Sequence, residues 1–121
     1  MSYVDGFVLA LPKANVEAYK EMADLGRQVW MEHGALGYFE CLGDDVPYGE
    51  VTSFPRAVQA GDDEMVVFAW IIHASREARD ETNGKVMADP RMQGQMEDMP
   101  FDGKRMIFGG FQRFIEATAR G

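Results

Sequence analysis

The chain has 121 residues and a mass of 13.6 kDa, with 46% hydrophobic and 26% charged residues, a composition that fits one globular domain over residues 1–121 and argues against disorder. A net charge of -8 without a compact basic patch opposes nucleic-acid binding, because affinity for polyphosphates rests on Lys and Arg displacing counterions. Cys41 stands alone, which excludes an internal disulfide and fits a reducing cytoplasm, and the apolar stretch Phe7 to Leu11 is too short for a signal peptide or a membrane span.

Tyr3 to Leu11 (YVDGFVLAL) reads as the first strand, stopped by Pro12, which has no amide to donate to a ladder. From Ala14 to His33 the period becomes helical. Tyr19, Met22, Ala23, Gly26, Val29, Trp30 and His33 fall on one face, and Gly34 is placed to end the helix with a positive φ. Leu36 to Leu42 (LGYFECL) is the second strand, with Leu36, Tyr38, Glu40 and Leu42 on one face and Phe39 with Cys41 on the other. Its simplest partner is an antiparallel strand from Met65 to His73 (MVVFAWIIH).

Between these strands, Gly43 to Asp63 is longer than a tight hairpin and holds Pro47, Gly49, Pro55 and Gly61. A loop of that length in a small domain is often functional, and Phe54 with Pro55 could fold it back over a pocket. Its acids, Asp44, Asp45, Glu50, Asp62, Asp63 and Glu64 around Arg56, read as a solvated run. Ser75 is a good N-cap for a second helix to Ala88, which Pro90 ends; Asn83-Gly84 is a local conflict within it, since Gly in a helix costs about 1 kcal/mol against Ala. Asp89 to Gly103 reads as a loop, and Lys104 to Glu116 as the last strand, inside which Gly109-Gly110 would allow close backbone approach or a bulge.

The order β-α-β-β-α-β predicts an α+β, ferredoxin-like fold: a four-stranded antiparallel sheet with both helices on one face. The strands at Met65 to His73 and Met106 to Phe114 are apolar or aromatic on both faces, so the sheet needs a cover on the side without helices. A second copy of the chain would supply it.

Tyr3-Val4-Asp5-Gly6-Phe7, Trp30-x-Glu32-His33-Gly34-Ala35, Thr52-Ser53-Phe54-Pro55, Lys85 to Met92 (KVMADPRM) and Met99 to Met106 (MPFDGKRM) together resemble a family of small uncharacterised bacterial proteins. The resemblance spans nearly the whole chain and implies a dimeric α/β-barrel, in which two ferredoxin-like protomers pack sheet against sheet. Some members carry a label naming the RNA of the signal recognition particle, for which a charge of -8 gives no physical reason. Relatives on that scaffold include cofactor-free monooxygenases, haem-degrading enzymes, muconolactone isomerases and stress-response proteins, so the fold alone does not choose a function.

His33, on the apolar stripe of the first helix, could act as a general base or simply cap the helix C-terminus. Arg79, Asn83 and Val86 share a face of the second helix that either meets solvent or gives polar groups to a pocket walled by Trp30, Tyr38, Trp70 and Phe108. Asp5 and Glu40 lie on sheet faces where a carboxylate needs a partner, and Arg105 and Arg113 are the strand residues best able to supply one. No metal-ligand spacing or phosphate loop is present in the sequence, so no cofactor is expected. Two functions fit: a cofactor-independent enzyme of oxygenase or isomerase type acting on a small organic molecule, with His33 as base, and a non-catalytic small-ligand-binding or stress-response module. Either would be a cytoplasmic homodimer that binds neither nucleic acid nor membrane.

Overall fold

The computed structural model describes residues 2–96 and 98–119. Strand β1 (Tyr3–Pro12) leads through a short 3-10 turn into α1 (Val16–Glu32), β2 (Gly37–Leu42), α2 (Phe54–Ala57), β3 (Glu64–His73), α3 (Arg76–Ala88), α4 (Pro90–Gln93) and β4 (Ile107–Gln112). The four strands form one antiparallel sheet in the order β2-β3-β1-β4. Among the described residues no helix is long and apolar enough to cross a membrane.

Register decides which side chains share a face. Leu9 pairs with Val67, and Leu42 also pairs with Val67; α1 lays Tyr19 on Leu9, Leu11 and Val67, with Val16, Met22, Met65 and Met106 filling around them. Three of the nine methionines thus act as core filler. The α3 helix lies over the same face, since Arg79 donates to Asp5 on β1, whose partners across the sheet are Ile71 and Gly110. Helix ends follow the sequence signals: Gly34 has φ +117° just beyond α1, and the Ser75 side chain accepts from the Ala78 N–H at the start of α3.

The long loop is more structured than its composition suggests. Ser53 caps α2 by accepting from the Arg56 N–H, and the segment folds back on the second sheet face, where buried Val58 packs with Val8, Ala10 and Val66 and Phe54 meets Phe68 edge-on at 5.8 Å. It therefore covers one end of that face. Glu64 also departs from the solvated reading. It receives two hydrogen bonds from Arg105, and these hold its carboxyl down to about 2.

Two further boundaries move. The stretch read as a loop after Asp89 contains α4, because the Asp89 side chain caps it by accepting from the Arg91 N–H, with Pro90 in the first turn. The last strand begins at Ile107, not Lys104: the Asp102 carboxylate accepts from the Lys104 N–H and pairs with Arg105, winding those residues into a 3-10 turn. It ends at Gln112, as β1 offers no partner beyond Tyr3; the Arg113 N–H donates to the Ser2 carbonyl.

The rest of the second face is open. Trp70 stacks on Phe39 with ring centroids 5.1 Å apart and lies tilted against Phe68 at 5.3 Å, and Phe111, 63% exposed, lies over the paired Gly6 and Gly109. The Gly109-Gly110 pair serves close approach on both faces, because the Tyr3 ring occupies the space a Cβ on Gly110 would take.

Candidate functional site

A groove of about 380 Å³ opens at the edge of the sheet, between α1 and β2. Tyr19, Ala23 and Arg27 line it at helical spacing, with Lys20 and Asp24 beside them, and Tyr38, Glu40 and Leu42 face it from β2, with Val67 behind. The strand's alternation puts those three side chains together, and α1 can approach because residue 26 is glycine. A Cβ there would sit 2.8 Å from the Tyr38 hydroxyl.

Glu40 is the centre of the groove. The Tyr19 hydroxyl donates to its Oε1 at 2.7 Å, and the Tyr38 hydroxyl donates to Oε2 at 2.8 Å. Burial, and then the Glu40 carboxylate, push both phenols well above the usual tyrosine range, so they remain protonated donors. Glu40 thus takes neither Arg105 nor Arg113 as partner. Arg105 binds Glu64 and Asp102, and Arg113 binds Glu116. Phenolic donors satisfy a carboxylate without cancelling its charge, which a search for arginines alone overlooks.

Asp5, 4% exposed, is neutralised from α3. Arg79 Nη1 lies 2.8 Å from its Oδ1, and the same guanidinium sits 5.0 Å above the Tyr3 ring. Fully buried His73 places Nε2 3.5 Å from Asp5 Oδ2, beyond a good hydrogen bond, and burial is the main cause lowering its pKa. This cluster ties α3 to the sheet and lies apart from the residues lining the groove.

The structure divides the residues expected to form one pocket. Trp30 donates from its indole Nε1 to Asn83 Oδ1 at 3.1 Å and packs beside Tyr38, with ring centroids 6.1 Å apart, so these three come together. Trp70 does not join them, because it pairs with Phe39 on the opposite sheet face. Phe108 lies on β4, the other edge of the sheet from β2, where it pairs with Phe7 of β1 and is 72% exposed. Arg79 is committed to Asp5 and, through its Nε, to Asp80 at 2.9 Å. His33 follows the last residue of α1 with its Nε2 2.9 Å from Asp89 Oδ2, beside the ion pairs of Arg91 with Asp89 and Glu32. Asp89 is held below the usual carboxylate range by Arg91 and by His33.

Sheet, helices and groove together define a small α+β protein with a candidate small-molecule site at a strand edge. The chain belongs to the family described as "Protein of unknown function (DUF1428)", which matches residues 2–103. It is 53% identical over 116 residues to "Uncharacterized protein YbaA" of Escherichia coli strain K12, covering 96% of this chain and 99% of that relative. The same figures hold for the proteins of that name in Escherichia coli O157:H7 and Shigella flexneri. None of these names states an activity.

Proposed function

We propose that the chain is a ferredoxin-like protomer of a homodimeric α/β-barrel, cytoplasmic, and that each protomer binds a small organic molecule in the groove between α1 and β2. The dimer rests on the open sheet face. The chain exposes 8076 Å² against about 6,600 Å² for a compact monomer of its mass, and Phe39, Phe68 and Phe111 on that face, with half-buried Trp70, are part of what it exposes, as are Phe114 and Ile115 beyond β4. A second copy on that face would cover a patch of the kind that monomers rarely leave contiguous.

The single observation that carries the binding function is Glu40, a carboxylate held by two protonated phenols in the wall of a mostly apolar groove. Apolar clefts with a few fixed polar groups are the usual form of ligand sites. Non-catalytic binding is favoured over turnover with His33 as base, because His33 is engaged with Asp89 and lies outside the groove lining. Screening the protein against a small-molecule fragment library by ligand-observed NMR tests the proposal. Hits should bind the native chain and lose binding in Ala23→Leu, which fills the groove from α1; hits that bind both proteins equally would overturn it.

A further inference from the structure

We infer that the groove selects a small organic cation, a primary amine on an apolar or aromatic body. This deepens the binding function proposed above and rests on it. Protons and lone pairs at the groove wall decide what it can take. Both tyrosine hydroxyls spend their only proton on Glu40, so what Tyr19, Tyr38 and Glu40 still offer a ligand is acceptors: phenol oxygen lone pairs and the remaining lone pairs of the carboxylate. On these three residues a carboxylate or phosphate ligand would find no free donor and would meet the like charge of Glu40; the donors it could reach are those of Lys20 and Arg27 at the rim. An ammonium has three donors and no acceptor, which is the complement of this surface.

The pairing of charges agrees. Among the described residues no lysine, arginine or histidine forms an ion pair with Glu40, and the cations at the groove rim are engaged on their own helix, Lys20 with Glu17 at 3.5 Å and Arg27 with Asp24 at 2.9 Å. Asp5, the other carboxylate on this sheet face, has its arginine. Glu40 alone of the two lacks a cation, and its place in a groove lets one arrive from solution. The half-buried Tyr38 ring adds a π face that attracts a cation, and Ala23 and Leu42 provide apolar wall for the body of the molecule. A half-buried carboxylate is desolvated enough for a charge-assisted hydrogen bond to be worth a large factor in affinity.

The test uses three probes with the same aromatic body, 2-phenylethylamine, 2-phenylethanol and 3-phenylpropionate, titrated calorimetrically into the full chain and into Glu40→Gln. The amide can still accept from one phenol and donate to the oxygen of the other, so this variant keeps the groove's shape while removing its charge. The amine should bind the native chain roughly ten- to a hundredfold more tightly than the alcohol, the carboxylate more weakly still, and Glu40→Gln should erase the preference. Equal or tighter binding of the alcohol or the carboxylate would overturn the cation selectivity while leaving the groove as a ligand site. Binding of none of the three, with the fragment screen also empty, would overturn both. If Glu40→Gln misfolds, Lys20→Gln decides instead: removing a rim cation should strengthen amine binding, and weakened binding would count against the inference.

Discussion

Arg79→Met removes the cation from a buried pair and leaves its carboxylate behind. Asp5 is 4% exposed and the nitrogen–oxygen separation is 2.8 Å, which gives about 6 kcal/mol of gross attraction at an effective dielectric of about 20, before desolvation is subtracted. His73 is a poor replacement, because burial, the largest cause lowering its pKa, remains when Arg79 is gone, and its Nε2 stands 3.5 Å from Asp5 Oδ2. Breaking such a pair by deleting one partner destabilises by about 3–5 kcal/mol, and the lost contact over Tyr3 adds about 0.5–1 kcal/mol. Against a total stability of about 5–15 kcal/mol, the variant should be close to unfolding in modest urea. Replacing both partners, as in Asp5→Leu with Arg79→Met, removes the stranded charge and should recover most of the loss, leaving a coupling of about 2–4 kcal/mol in the double-mutant cycle. Urea titrations followed by circular dichroism, at one fixed protein concentration, measure all four proteins. An Arg79→Met loss below about 1 kcal/mol would refute the assignment of Arg79 as the group that neutralises Asp5.

Gly84 lies within α3 with nothing within 4 Å of where a Cβ would be, so Gly84→Ala should stabilise by about 0.5–1 kcal/mol and raise the melting temperature by about 2–4 °C; a lower melting temperature would show that α3 needs the glycine. Arg105→Met should unfold at lower urea at pH 7, and its deficit should shrink on acidification. The sign follows from Glu64, whose carboxyl falls from 4.5 to about 2 on folding: the stability this contributes is fully present above pH 4.5 and lost as pH falls through about 2. Urea midpoints at pH 7, 4 and 3 check it, and a deficit that stays constant with pH would contradict the role given to Arg105.

Much of the fold was legible because local signals and tertiary packing agree. Ser75, Gly34 and Pro12 each mark a boundary by a mechanism that needs no knowledge of neighbours: an oxygen for free N–H groups, a backbone free of Cβ, a missing amide. The α2 and α4 turns are not legible as helices because each is four residues long, too short for a hydrophobic period. The site was less legible. Alternation within β2 places Tyr38 and Glu40 on one face, but whether Trp70 joins them depends on the β2–β3 register, in which Tyr38 meets Ile71 and Phe39 meets Trp70; one residue of slip reverses the answer. Phe108 shares the face yet lies at the far edge, a matter of strand order that no single strand encodes. The partners of Glu40 were hidden for a chemical reason, since phenols rather than guanidinium groups satisfy it.

The two-faced sheet is tested most directly by its mass in solution. Sedimentation equilibrium of the full chain at micromolar concentration should return twice 13.6 kDa, with one sheet face covering the other. A single species of 13.6 kDa under those conditions would leave Phe39, Phe68, Trp70 and Phe111 uncovered and would contradict the dimer.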